Sequence, residues 1–188
     1  MGKEEQTKIG QHFLYLAQDL TEEKGKRSQT LSEHHFLYRW WFPTNSPIVA
    51  FIQNYFGENY VKNELKHITI GKEGYYALYL GKTTNGRNRF RQHTEGPIKN
   101  STLRETIRAI LTIENGETCD EEQISDILRP CYYEWMEFVN DIELMDCFEM
   151  MAIAIGNYPL NIEGNHSVSK EWKDMIINQR HLLKPNPE

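Results

Sequence analysis

The stretch from Tyr79 to His93 reads YLGKTTNGRNRFRQH, and it holds most of the sequence information on fold and chemistry. Tyr79 stands near the end of a run rich in β-forming residues, and Gly81 permits a tight turn directly after it. The residues from Gly86 to His93 are predicted to form a helix, on which Arg89 and His93, four positions apart, share one face. The stretch therefore predicts a strand, a turn and a helix that bring a tyrosine, an arginine and a histidine together.

The same region is basic, although the chain as a whole is acidic, with a formal net charge of -6. Residues 79–108 hold seven Lys or Arg against two Asp or Glu, residues 1–78 balance, and residues 109–188 hold five against sixteen. A locally basic segment favours an anion-binding site, although an ordinary solvated helix face also explains such a run of charge.

Length and composition place the chain among globular proteins. Its 188 residues are 39% hydrophobic and 26% charged, which suits a single domain over 1–188 with a real core. Cys119, Cys131 and Cys147 have neither the spacing of a zinc site nor the even number of a disulfide framework. No apolar run is long enough for a membrane helix, and the N-terminus lacks the pattern of a signal peptide. We therefore expect a cytoplasmic protein without a membrane partner.

Secondary-structure signals along the chain predict the α+β class. Apolar residues at helical spacing predict an N-terminal helix over roughly 5–20: Ile9, Phe13, Leu16 and Leu20. Strands are predicted over 35–42, 66–70, 75–81 and 131–139, of which the middle two form a hairpin around a glycine-bounded turn. Further helices are expected after these capping or starting residues: Ser46, Gly86, Ser101, Asp120, Asn140 and Ser169. We expect a small, mainly antiparallel mixed sheet of about three strands, flanked by helices.

Alternation along the second strand of the hairpin predicts two faces. One face is expected to carry Tyr75, Ala77, Tyr79 and Gly81, and the other Tyr76, Leu78 and Leu80. The leucine face is the better candidate for the core, which leaves Tyr79 on the more open surface.

The stretch quoted first resembles the second motif of the GIY-YIG nuclease superfamily. In that motif Tyr-Ile-Gly is followed by Thr two residues after the Gly, by Arg ten residues after the Tyr, and by His or Tyr fourteen after it. The matching residues here are Tyr79, Gly81, Thr83, Arg89 and His93, with Leu80 in place of the isoleucine. The resemblance covers about 33–165, flanked by an N-terminal helix and loop (1–32) and a C-terminal helix and tail (166–188).

Two further elements of the superfamily are a metal-binding glutamate on a late helix and a Pro-x-Asn-like segment after it. Glu149, Pro159 and Asn161 follow this order. Glu149 lies among apolar neighbours, where a charge needs a partner or a cation. Alternatively, Glu149 lies on the solvent-exposed face of its helix.

The first motif, Gly-Ile-Tyr, is degenerate, because no GIY precedes the second motif. We assign its tyrosine to Tyr38, in a strand-like FLY, followed by a long insertion over 43–74. His67, Tyr75 and Tyr76 are the alternatives for this position.

The resemblance implies a metal-dependent DNA endonuclease with one divalent cation, Mg²⁺ or Mn²⁺. Tyr79 would help to deprotonate the attacking water, Arg89 would hold the scissile phosphate, and Glu149 would bind the cation. Tyr38 and His93 would position water or relay protons.

The remaining roles are assigned in the same way. Asn161 would orient groups around the metal, and Lys82, Arg87 and Arg91 are candidate phosphate contacts, if they are not ordinary surface cations. The alternative to an enzyme is a catalytically inactive module with this fold that binds nucleic acid or a protein partner. The sequence makes no choice between DNA and RNA or duplex and branched substrates, and it predicts no oligomeric state.

Overall fold

A five-stranded sheet runs through the computed structural model, which describes residues 9–22, 31, 35–138 and 141–184. The strands are β1 (Ile9–Leu16), β2 (His35–Pro43), β3 (His67–Ile70), β4 (Glu73–Thr83) and β5 (Tyr132–Phe138). All neighbouring pairs are antiparallel, in the order β1-β5-β2-β4-β3. The α+β class is confirmed, whereas a mixed sheet of about three strands is wrong.

Eight α-helices accompany the sheet in the described part of the chain: α1 (Ala17–Glu22), α2 (Pro47–Phe56), α3 (Glu58–Glu64), α4 (Gly86–Thr94), α5 (Thr102–Asn115), α6 (Glu121–Leu128), α7 (Ile142–Ile155) and α8 (Lys170–Leu182). A 3₁₀ turn at Ile98–Asn100 precedes α5. None of the described helices is long and apolar enough to span a bilayer. The stretch expected as an insertion (43–74) contributes α2, α3 and β3 to the fold.

Most of the helix starts expected from capping residues are confirmed. The side chains of Ser46, Ser101 and Ser169 accept backbone N–H groups at the starts of α2, α5 and α8. Asp120 forms the expected capping box at α6. At α7 the cap is Asp141, whose carboxylate accepts the N–H of Leu144 at 2.8 Å, and Asn140 lies outside the described residues.

Helices cover the sheet on both faces. The larger core packs α2, α5 and α8 against one face and contains Tyr38, Trp40 and Tyr79 from the sheet. The smaller core lies on the other face and is closed by α7, where the ring of Phe148 packs 5.6 Å from that of Phe138. Both faces of the sheet are therefore covered, and Tyr79 is only 6% exposed. The expectation that Tyr79 lies on the more open surface is wrong.

The expected N-terminal helix over 5–20 is wrong, because residues 9–16 form β1 and a helix begins only at Ala17. Residues 1–8 lie outside the described part. β1 pairs with β5, and the rings of Phe13 and Tyr15 stack on Trp135 at 5.1 and 5.5 Å. Burial of two aromatic side chains against a tryptophan outweighs helical spacing of the apolar residues, which is only a weak preference.

A β-bulge in β4 overturns the expected faces of this strand. Trp40 pairs with Tyr79 and Trp41 with Ala77, so Leu78 is an extra residue without an opposite partner. Leu78 and Tyr79 both contribute to the larger core, whereas Ala77 and Leu80 contribute to the smaller one. A bulge inserts one residue and so shifts the alternation that follows it. Because of this shift, Tyr79 points to the same face as Tyr38.

Candidate active site

A cleft of about 750 Å³ opens at the end of β4. Its walls come from β2 and β4, from α4, from α7 and from the segment 161–167. Six residues predicted from the sequence line it: Tyr38, Tyr79, Lys82, Arg89, Glu149 and Asn161. Side chains separated by more than 100 positions in the chain thus meet in one concave site.

Two tyrosines form the floor of the cleft. Tyr38, in β2, pairs with Gly81 across the sheet, and its ring lies 6.3 Å from the ring of Tyr79. The Tyr38 side chain passes directly over Gly81, where a Cβ would be 2.5 Å from its hydroxyl oxygen. The motif glycine is therefore required by the ring above it. Among the candidates for the first-motif tyrosine, Tyr38 lies in the cleft, whereas Tyr75 packs in the smaller core on the opposite face.

Arg89 presents its guanidinium to the cleft from α4. The helix begins at Gly86 after the Asn85 side chain caps it through the N–H of Asn88 at 2.9 Å. Nε of Arg89 donates to the Tyr38 hydroxyl at 3.0 Å, and Nη1 donates to Gln92 at 2.9 Å. The half-buried guanidinium is thus held in one orientation beside the tyrosines, with further donors for an anion.

His93 lies behind the cleft wall and not in it. Its imidazole is fully buried, with Nε2 2.9 Å from the Tyr38 hydroxyl and Nδ1 2.7 Å from Oγ of Ser101. Burial and the charges of Arg89 and Arg104 hold the pKa of His93 well below its usual range, so the ring is neutral at neutral pH. Its position fits a contact to Tyr38 better than a contact to water or substrate.

Glu149 reaches the cleft from α7 and is ion-paired there. Its carboxylate is 2.8 Å from Nζ of Lys82, which also contacts Asp146, one turn earlier on the helix, at 3.0 Å. These hydrogen bonds raise the pKa of Lys82, which stays charged. The described residues contain no group of three or more His, Cys, Asp or Glu that suits a metal ion. The donor set at this site is therefore a carboxylate pair neutralised by a lysine.

Asn161 binds the backbone of β4. Its Oδ1 accepts the N–H of Leu80 at 2.8 Å, and its Nδ2 donates to the carbonyl oxygen of Leu80 at 2.6 Å. The neighbouring Leu160 donates its N–H to the carbonyl of Leu78 at 3.0 Å. The amide of Asn161 thus fixes the strand segment that carries Tyr79 with one donor and one acceptor. Its role in orienting groups around a metal stays a prediction.

The two arginines predicted as phosphate contacts, Arg87 and Arg91, lie outside the cleft. Nε of Arg87 donates to the carbonyl oxygen of Leu31 at 3.2 Å, and Arg91 lies 3.7 Å from the Glu95 carboxylate. Phosphate contacts by Arg87 or Arg91 stay a prediction, and they would be made on the surface beside the cleft.

Two contacts near the cleft were not predicted from the sequence. Asp146 contacts Lys82, and Ser101, in addition to capping α5, contacts His93. Neither contact has a signature in the sequence.

Burial also acts on the two cleft tyrosines. It raises the pKa of Tyr38 well above the usual value, and the neighbouring Tyr79 acts in the same direction. It raises the pKa of Tyr79 as well. Arg89 opposes the effect of burial at both hydroxyls, whereas the interaction between the two tyrosines lowers the pKa of Tyr79 and raises that of Tyr38. Of the two hydroxyls, that of Tyr79 is therefore the one whose ionisation is less strongly opposed.

Comparison with known proteins identifies the family of the chain. A family model described as the GIY-YIG catalytic domain matches residues 36–182, most of the chain. Neither the curated proteins nor the solved structures contain a significant match. The match spans the strand with Tyr38, the second motif and the helix with Glu149. The chain therefore belongs to the GIY-YIG catalytic domain family.

Proposed function

We propose that this protein is an endonuclease that hydrolyses phosphodiester bonds of DNA with the help of one divalent cation, Mg²⁺ or Mn²⁺. Family membership indicates nuclease chemistry and a nucleic-acid substrate in general terms. The observation that supports the specific proposal is that Arg89, Glu149 and the two tyrosines all line the same cleft.

The residues at the site fit a hard divalent cation. Glu149 supplies a carboxylate on the cleft, and Asp146 lies within reach of the same lysine. Mg²⁺ keeps several waters and needs only one or two protein carboxylates, so a site without a larger acidic cluster is adequate. When bound, the cation would stabilise negative charge on the 3′ oxygen that leaves phosphorus. Lys82, which contacts both carboxylates, would compete with the cation for Glu149.

The chain's own residues account for the other requirements of hydrolysis. Arg89 holds the phosphate, because it lines the cleft and has N–H donors beyond those used by Tyr38 and Gln92, in a geometry that matches phosphate oxygens. Tyr79, as the phenolate, takes a proton from water, the water oxygen forms a bond to phosphorus, and the bond from phosphorus to the 3′ oxygen breaks. The released 3′ oxygen takes a proton from solvent. The products are an alcohol and a phosphate monoester.

Tyr79 is the better base of the pair. Arg89 favours the ionised form of both hydroxyls, but the interaction between the tyrosines lowers the pKa of Tyr79 and raises that of Tyr38. Tyr38 is more deeply buried, at 1% exposure, and contacts His93 and Arg89 through the same oxygen. Tyr38 therefore supports Tyr79 and does not itself face the water.

Nicking of supercoiled plasmid in Mg²⁺ or Mn²⁺ tests the proposal. We expect Arg89→Ala and Glu149→Gln each to lose at least about a hundredfold in rate, since each removes a group that acts on transition-state charge. Arg129→Ala and Glu143→Gln are matched controls, because both residues are exposed and outside the cleft, and both variants should cleave as the wild type does.

Two results would contradict the proposal. The first is equal cleavage by the wild type, Arg89→Ala and Glu149→Gln, which would place the activity elsewhere or in a contaminant. The second is salt-dependent DNA binding without cleavage in any divalent cation, which would favour the inactive binding module instead.

A further inference from the structure

Ser101 lies directly behind His93, on the side away from the cleft. Its hydroxyl oxygen is 2.7 Å from Nδ1 of His93, while Nε2 of the same ring is 2.9 Å from the Tyr38 hydroxyl. All three side chains are at least 99% buried. The imidazole therefore links a serine to a cleft tyrosine without water between them, and the positions of the hydrogens decide what this link does.

The donors and acceptors around Ser101 determine where its hydroxyl hydrogen points and which nitrogen of His93 carries a hydrogen. Its Oγ accepts the N–H of Arg104 at 3.2 Å as the cap of α5. Within the described part of the chain, the acceptor in reach of its own hydrogen is Nδ1 of His93. A buried hydroxyl that donates to nothing costs about 1–3 kcal/mol. Ser101 thus donates to Nδ1, and the neutral imidazole of His93 carries its hydrogen on Nε2.

The donors around Tyr38 determine the direction of its hydroxyl hydrogen in the same way. Nε2–H of His93 donates to the Tyr38 oxygen, and so does Nε–H of Arg89 at 3.0 Å. Two donors occupy the acceptor positions of this oxygen, so its own hydrogen must point elsewhere. The Tyr79 ring lies 6.3 Å from the Tyr38 ring, and the Tyr38 hydroxyl lowers the pKa of Tyr79, so the hydrogen of Tyr38 turns towards Tyr79. The chain of donors runs from Ser101 through His93 and Tyr38 to Tyr79.

We propose that Ser101 is a positioning residue, which holds His93 in the Nε2-protonated tautomer and thereby turns the hydroxyl of Tyr38 towards Tyr79. With the opposite tautomer, Tyr38 would donate to Nε2 and Tyr79 would lose this donor. His93 accordingly transmits orientation and not protons, because it is buried between two arginines and stays neutral. The effect of this orientation on cleavage rests on the proposed function, whereas the assignment of the His93 tautomer is independent of it.

The tautomer is measured directly by the ¹⁵N shifts of the imidazole nitrogens in the full-length protein at pH 7.5, with His93→Gln used to assign the signals. In the wild type we expect the hydrogen on Nε2. Ser101→Thr keeps the hydroxyl and should keep this tautomer, whereas Ser101→Ala should shift the population towards Nδ1–H. A wild-type ring with its hydrogen on Nδ1 would overturn the proposal, and so would an unchanged tautomer in Ser101→Ala. The wild-type measurement needs no variant and decides the matter even if Ser101→Ala fails to fold.

Ser169→Ala is the matched control for loss of a helix cap. Ser169 caps α8 with the N–H of Trp172 at 3.2 Å, the same distance as at Ser101, and it lies outside the cleft. Ser169→Ala should lose about 1 kcal/mol of stability, and Ser101→Ala at least as much, because it also loses the buried hydrogen bond to His93. Only Ser101→Ala should also lose kcat, by about tenfold as for other supporting hydrogen bonds, with KM unchanged. Equal kcat in the two alanine variants would contradict the positioning role, whereas a wild type that does not cleave would contradict the proposed function and leave the tautomer result intact.

Discussion

Replacement of His93 by glutamine should make the protein less sensitive to acid. In the folded protein the His93 ring stays neutral, because burial and two arginines lower its pKa well below the usual value. In the unfolded chain a histidine takes up a proton near pH 6.5. The pKa of the folded state is thus the lower one. The stabilisation that follows is present above about pH 6.5 and is lost as the pH falls below it.

The size of the effect follows from proton linkage. Between pH 7.5 and 5.5 the unfolded state gains nearly one proton at this position and the folded state gains none, which lowers the free energy of unfolding by roughly 1 kcal/mol. Glutamine has no such proton, and its amide can still donate to the Tyr38 hydroxyl. The loss of stability over this range should therefore be roughly 1 kcal/mol smaller in His93→Gln than in the wild type.

Urea denaturation at the two pH values measures this difference, since other groups contribute equally to both proteins and cancel. His181→Gln removes an exposed imidazole and should retain the pH dependence of the wild type. If His93→Gln and the wild type lose the same stability between pH 7.5 and 5.5, the ring accepts a proton in the folded protein, and the reasoning on its neutrality is refuted.

Three further predictions concern the cleft itself. Gly81→Ala should lower the cleavage rate by roughly a hundredfold with little change in KM, because a Cβ 2.5 Å from the hydroxyl of Tyr38 displaces that ring by about an ångström; a rate within a factor of two of the wild type would contradict this. Lys82→Met should tighten binding of Mn²⁺, measured by electron paramagnetic resonance, by roughly two- to fivefold, the value of a partly exposed ion pair with Glu149; weaker binding would show that the pair does not compete with the cation. Because burial raises the pKa of Tyr79, the cleavage rate should rise between pH 7 and 9 as the phenolate fraction grows, by up to about tenfold per pH unit, and a flat profile would exclude this tyrosine as the base.

The sequence predicted the residues of the cleft better than the shape of the strands that carry them. The helix starts at Ser46, Ser101 and Asp120 were predictable because capping depends on a few adjacent residues. The second motif was predictable for a similar reason, since its spacing is local. Tyr38 was harder to assign, as the first motif is degenerate and only its pairing with Gly81 in the sheet brings it to the cleft.

The features that the sequence did not predict depend on contacts between distant segments. β1 forms because Trp135, some 120 positions later, offers a surface to Phe13. The bulge at Leu78 depends on the pairing of β4 with β2, so simple alternation placed Tyr79 on the wrong face. The ion pair between Lys82 and Glu149 likewise joins β4 to α7 and has no local pattern.

The grip of Asn161 on the main chain of Leu80 sets a lower limit on the length of a working fragment. A chain shortened to residue 155 would keep both tyrosines, the arginine and the carboxylate. It would lack the two hydrogen bonds from Asn161 that fix the backbone of β4 at the floor of the cleft. Deletion from the C-terminal side removes α8, with the core residues Trp172 and Ile176, before it reaches this asparagine, so a working fragment must include both. A nascent chain that ends at α7 would carry both tyrosines, the arginine and the carboxylate without the contact that fixes the strand between them.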